Sequence, residues 1–147
     1  MNAASYGLIM NKNMKETGFP MEEIDNLTSR IIGCCYKVFN TLGSGFFESV
    51  YQNALLYELQ KNELKAFPEV ELKVCYDDTV VGVFKADIIV EGRVILELKA
   101  VERLAKVHEV QLVNYLKATG IENGLLINFG AEKVQIKRKF KDYQVSN

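Results

Sequence analysis

Three charged side chains interrupt the most apolar stretch of this chain. Residues 87 to 99 read Asp87-Ile-Ile-Val-Glu-Gly-Arg-Val-Ile-Leu-Glu97-Leu-Lys99. Glu91-Gly92 stands between two aliphatic runs, the pattern of a tight hairpin. Side chains alternate across a strand, so Glu97 and Lys99 share one face and Val94, Leu96, Leu98 and Ala100 share the other. Asp87 sits just ahead of the apolar run on the preceding strand. Charges in a half-buried sheet cost free energy unless they are paired or hold a cation. The segment therefore asks for a hairpin with one apolar face covered and a polar arrangement on the other.

The surrounding periodicity supplies the cover. Ile24, Leu27, Ile31, Cys35, Val38 and Leu42 recur at three- and four-residue steps, which predicts a helix over 21–42. Gly43-Ser44-Gly45 ends it, and a second helix is expected over 47–62. The period then drops to two. Strands are expected over 70–76, 80–90 and 93–101, with Asp77-Asp78 as a turn. A helix over 104–119 follows, closed by Gly120, then a buried strand over 124–129 and an edge strand over 133–140. The order ααβββαββ implies a mixed sheet with helices packed on it. Residues 1–20 are polar and aperiodic and read as a loose tail, leaving 21–147 as a single domain.

Composition narrows the partners. The net charge is −1 and charged residues make up 25%, so any nucleic-acid contact has to come from a local patch. The three cysteines, Cys34, Cys35 and Cys75, form neither a disulfide framework nor a zinc pattern, which fits a reducing, cytoplasmic compartment. No apolar run approaches the roughly 20 residues that span a bilayer, and the N-terminus carries no signal-peptide pattern, so no membrane partner is expected.

Phosphodiester hydrolysis needs a cation to neutralise non-bridging oxygens and to activate water. Mg²⁺ takes hard oxygen ligands, which Asp87 and Glu97 on adjacent strands could supply. Lys99 could orient the water and steady the transition state. A Glu/Lys pair two apart on a strand is often only a solvated salt bridge. Here the strand is otherwise nearly all aliphatic, and Asp87 lies on its hairpin partner, which favours the site. Gln111 and Tyr115 share a helix face; alone, Tyr115 reads as a core aromatic and Gln111 as an exposed polar group. Glu48 opens the second helix, where the helix dipole is sufficient reason for an acid. His108, the only histidine, makes no dyad. Lys137, Arg138 and Lys139 fall in a basic run that could hold phosphates or guard an edge strand, with equal weight.

Together these pieces resemble the GxxExxY family of the PD-(D/E)XK nuclease superfamily. Gly45-Phe46-Phe47-Glu48-Ser49-Val50-Tyr51 carries the first motif, and Asp87 with Glu97-Leu98-Lys99 carries the signature. Gln111 and Tyr115 match the QxxxY pattern of RecB-like nucleases, and 124–130 matches a later block. The resemblance covers roughly 22–140. It implies an α/β fold with a restriction-endonuclease-like αβββαβ core, and Mg²⁺ or Mn²⁺ held by Asp87, Glu97, the Leu98 carbonyl and Glu48. It also implies Lys99 as the catalytic lysine, with Gln111 and Tyr115 accessory. Ala86 replaces the signature proline, Phe39 a frequent histidine and Ser44 a frequent proline.

The expectation is a metal-dependent nuclease acting on nucleic acid, DNA first. The alternative is a catalytically silent interaction module on the same fold. A homodimer or a protein partner could complete the small substrate-contacting surface.

Overall fold

The computed structural model describes residues 21–142; the tail expected over 1–20 lies outside the described residues. Helix α1 runs Met21–Leu42 and helix α2 Glu48–Lys61. The α1 stripe is buried as the spacing requires, from Ile24 through Leu27, Ile31 and Cys35 to Val38. Gly43 stops α1 at φ +70, its N–H donating to the Phe39 carbonyl at 2.7 Å. That left-handed turn is open to glycine at no steric cost.

Five strands follow, with one helix among them: β1 Ala66–Tyr76, β2 Thr79–Val90, β3 Val94–Lys99, helix α3 Lys106–Thr119, β4 Asn123–Asn128 and β5 Gln135–Phe140. They form one sheet in the order β1-β2-β3-β4-β5. Only β3 and β4 run parallel, joined by the α3 crossover, so the sheet is mixed. Glu91 and Gly92 turn the β2–β3 hairpin with φ +52 and +66, the two positive values of a type I′ turn. No helix among the described residues is long and apolar enough to cross a membrane.

Each face of the sheet has its own core. Val94, Leu96 and Leu98 of β3 join Leu125 and Ile127 of β4 against Ile31, Tyr51, Leu55 and Leu59 of α1 and α2. Ile95 and Leu126 face the other way, against Leu112 and Leu116 of α3. A Cβ on Gly124 would meet Leu112 at 3.0 Å, so α3 sits close on β4.

Two features of the hairpins position the site. The β2–β3 ladder has three rungs, Ile88↔Leu96, Ile89↔Ile95 and Val90↔Val94, and ends there. Alternation also breaks where β1 and β2 cross from one core to the other. Ala66 and Ile88 join the α1–α2 core, whereas Val70 and Ala86 join the α3 core. Glu69 lies between at φ +51, unmatched in a register that passes from Pro68↔Ile88 to Val70↔Ala86. Strict period two would keep Ala86 and Ile88 on one face; the crossing at Asp87 sets them apart. It also explains why β1 starts four residues before 70, since Phe67-Pro68-Glu69 hides the strand pattern.

Candidate active site

Where the β2–β3 ladder ends, side chains take over the bonding. The Asp87 carboxylate accepts the Leu98 N–H at 2.7 Å, one rung beyond the last backbone pair. On a strand, N–H and C=O of one residue point to the same side, so the Leu98 carbonyl opens into the same gap. The Lys99 carbonyl points to β4 and accepts the Phe129 N–H at 2.9 Å. Glu97 is buried, and its Oε1 has no hydrogen-bond partner. Burial and then the Asp87 charge push its carboxyl up to about 8, against the pull of the Asp87 backbone N–H and Lys99. Asp87 is also raised, chiefly by burial, with the Leu98 N–H and Lys99 opposing.

Helix α2 brings a third acid to the gap. Glu48, its first residue, is raised by burial and then by Asp87, while Lys99 pulls it down. One turn later, Gln52 donates to the Asp87 carbonyl and to Glu69 Oε1, both at 2.9 Å, tying α2 to β2 and β1. Tyr51 anchors this end of the helix. It is fully buried, stacks on Phe129 at 4.7 Å, and its hydroxyl donates to the Gly43 carbonyl while accepting the Phe46 N–H at 3.3 Å. The glycine turn and the helix start are thereby fixed to one another. Gly45, Glu48 and Tyr51 divide the labour: the glycine at φ +110 makes the turn, the tyrosine holds it and the glutamate faces the other acids.

Lys99 has its own support. Its register partner Asn128 is fully buried and makes four hydrogen bonds. Oδ1 accepts the Val101 and Gly130 N–H groups, each at 3.0 Å; Nδ2 donates to the Val101 carbonyl at 2.8 Å and to Gln135 at 2.9 Å. Gly130 permits this close approach, since a Cβ there would lie 2.3 Å from the Val101 nitrogen. The chain is clamped two residues after the lysine.

From α3, Tyr115 stacks on Phe84 of β2 at 3.7 Å. Its hydroxyl is raised by burial and then by the Glu97 and Asp87 charges, which puts it within their field. Gln111, one turn earlier, is exposed.

A sequence model described as the PD-(D/E)XK nuclease superfamily matches residues 25–139. The chain belongs to that superfamily. A crystal structure of SSO0001 is similar in fold, with a TM-score of 0.50 and 19% identity. The match covers 66% of this chain and 52% of that one, so the chain spans about half the length of the solved protein. No curated protein matches the sequence.

Within this PD-(D/E)XK fold, Asp87, Glu97, Lys99, Glu48 and Tyr115 are brought into one electrostatic neighbourhood. The basic residues of β5 are engaged elsewhere. Lys137 and Lys139 both bridge Glu109 of α3, at 3.1 and 2.6 Å, and Arg138 on the opposite face pairs with Asp25 at 2.8 Å. Sequence reasoning missed Gln52, Glu69 and Asn128. Gln52 was findable, lying four residues after Glu48 and so on its face. Glu69 arrives through strand pairing and Asn128 through a parallel register, neither of which leaves a local pattern.

The donor set suits a hard divalent cation. Two crowded carboxyls, one with an orphaned buried oxygen, lie beside the Leu98 backbone, whose N–H Asp87 holds. Among the described residues no three His, Cys, Asp or Glu side chains form a ready cage. Mg²⁺ needs none: it is commonly held by one or two carboxylates, with waters and phosphate oxygens completing the shell.

Proposed function

We propose that the protein is a nuclease of the GxxExxY type that hydrolyses phosphodiester bonds of nucleic acid, DNA first, with Mg²⁺ or Mn²⁺. The observation that carries this reading is Glu97: a buried carboxyl pressed against Asp87, with one oxygen unbonded. Such a group is costly to charge unless a cation joins it. Asp87, Glu97 and the Leu98 carbonyl would hold the cation, with Glu48 reaching it directly or through water. Bound there, the cation supplies charge neutralisation at the phosphate and a more acidic water. Lys99 orients the attacking water and stabilises charge developing on the phosphoryl oxygens. On the α3 side Tyr115 lies within the field of the acids, and it and the exposed Gln111 one turn earlier would contact substrate or carboxylate. Lys137, Arg138 and Lys139 are offered as a weaker phosphate track, reached when substrate displaces Glu109 and Asp25.

We take residues 21–147 as one nuclease domain. The unpaired state of Cys34, Cys35 and Cys75 supports a cytoplasmic setting.

The test is cleavage of plasmid, linear duplex, single-stranded DNA and RNA with Mg²⁺, Mn²⁺ or EDTA. Wild type should cut only with metal, and Lys99→Ala should lose at least about 100-fold in rate while remaining folded. Equal activity in Lys99→Ala would remove the site. A second reading, the silent interaction module, draws on the exposed Tyr76, Val80, Val81 and Val83 of the β1–β2 ribbon. It predicts partner or self-association that Glu97→Ala leaves unchanged, with no cleavage under any condition.

A further inference from the structure

Phe47 is 86% exposed and Phe46 48% exposed, and both immediately precede Glu48. An exposed phenylalanine is unremarkable alone. This one breaks a second local rule. Phe47 is the N-cap of α2, in extended conformation at φ −67 and ψ 154, and makes no side-chain cap hydrogen bond. Ser, Thr, Asp or Asn there would satisfy a free helix N–H. The chain has Ser44 and Ser49 on either side and places neither at the cap. A position that forgoes both burial and capping is one where function outweighs local stability.

The pair is also held in place. The Phe46 ring packs edge-on to Tyr51, with centroids 6.2 Å apart and planes at 76°. Its N–H donates to the Tyr51 hydroxyl, and Tyr51 is stacked on Phe129. Val50, three residues after Phe47 on the first turn of α2, is 36% exposed. Two flat apolar groups thus stand on a turn pinned to the core, next in the chain to Glu48, whose carboxyl burial and the Asp87 charge raise.

We infer that Phe46 and Phe47 form an aromatic platform for the base of an unpaired nucleotide beside the acids, making nucleic acid with unpaired bases the substrate class of the site. The inference rests on the nuclease reading above. Bases in an intact duplex are already stacked on their neighbours, whereas an unpaired base offers its face to an aromatic ring. Charge points the same way. The chain carries a net charge of −1, and Lys137, Arg138 and Lys139 are paired with acids. Phosphate attraction, the main source of duplex affinity, therefore draws little on β5. Base stacking adds about 1–3 kcal/mol per base to whatever phosphate contacts contribute.

The experiment uses the full chain with Lys99→Ala in Mg²⁺, so that substrate survives. It measures binding to a single-stranded oligonucleotide and to the matching blunt duplex, with 2-aminopurine as the stacking reporter. The single strand should bind about tenfold tighter or more and its reporter should quench. Adding Phe47→Ala should cost about tenfold on the single strand alone. Phe47→Trp should retain affinity, and Phe47→Leu, apolar but not flat, should behave like alanine. Equal affinity for both forms, or a leucine variant as good as wild type, would overturn the platform. If wild type still cuts with metal in that case, the nuclease reading survives. Quenching and Phe47-dependent binding without any cutting by wild type would keep the platform and remove the nuclease. A dimer that Phe47→Ala dissociates, with single-strand affinity unchanged, would give the pair to a second copy and overturn the inference.

Discussion

Glu97 and Lys99 stand two residues apart on one strand under opposite demands. Burial and Asp87 press the Glu97 carboxyl toward neutrality, while half-buried Lys99 pulls it the other way. An unfolded glutamate ionises near about 4.3; Glu97 in the fold is pushed up to about 8. Between those values the folded state keeps a proton that the unfolded chain has lost. Metal-free stability should therefore fall as pH rises across this window. Melting in EDTA should show a lower Tm at pH 8 than at pH 5.5, and Glu97→Gln should flatten the slope. A glutamine variant with the wild-type slope would mean that Glu97 does not hold the proton. The sequence made the type and spacing of these residues legible, but not this competition. Desolvation depends on what covers β3, and nothing local encodes it.

At the level of elements, the site is a junction made by interrupted pairing. Helix α1, with its uninterrupted stripe, was readable from Met21 to Leu42, and the parity of β3 followed from alternation alone. The departures are local bonds that the pattern does not display. Helix α3 starts at Lys106 rather than 104, with the His108 ring nitrogen accepting the Ala105 N–H at 3.1 Å, a structural use for the lone histidine. Strand β3 stops at Lys99, and the next residues belong to the Asn128 clamp. Asn128→Ala would leave the half-buried Val101 and Gly130 groups without their partner, a loss of about 1–3 kcal/mol. Chemical denaturation should register that loss, and cleavage should fall further than the unfolded fraction explains, because Lys99 loses its anchor. Tyr51→Phe keeps the ring stack but releases Gly43 and Phe46, at about 1–2 kcal/mol. An unchanged denaturation midpoint in that variant would show that the hydroxyl does not fix the turn.

At the level of the whole molecule, the crowded acids store electrostatic strain, which on the proposed reading a divalent ion would discharge. Mg²⁺ at ten times its dissociation constant should stabilise wild type by about 1.4 kcal/mol, a rise of about 3 to 6 °C in Tm. At one fixed Mg²⁺ concentration the rise should be larger at pH 8 than at pH 6, since the ion must displace the Glu97 proton. Differential scanning calorimetry checks both, and Glu97→Ala should abolish them. The hydrogen bond from Leu98 N–H to Asp87 carries a consequence of another kind. On the proposed reading Glu97 and Lys99 serve chemistry, the buried Glu97 at a cost in stability, whereas the Asp87 carboxylate is also a rung of the sheet. In descendants of this chain freed from selection for cutting, mutation would strip the glutamate and lysine first. The aspartate would persist as a fossil, and silent copies of the fold should be recognisable by that lone surviving acid.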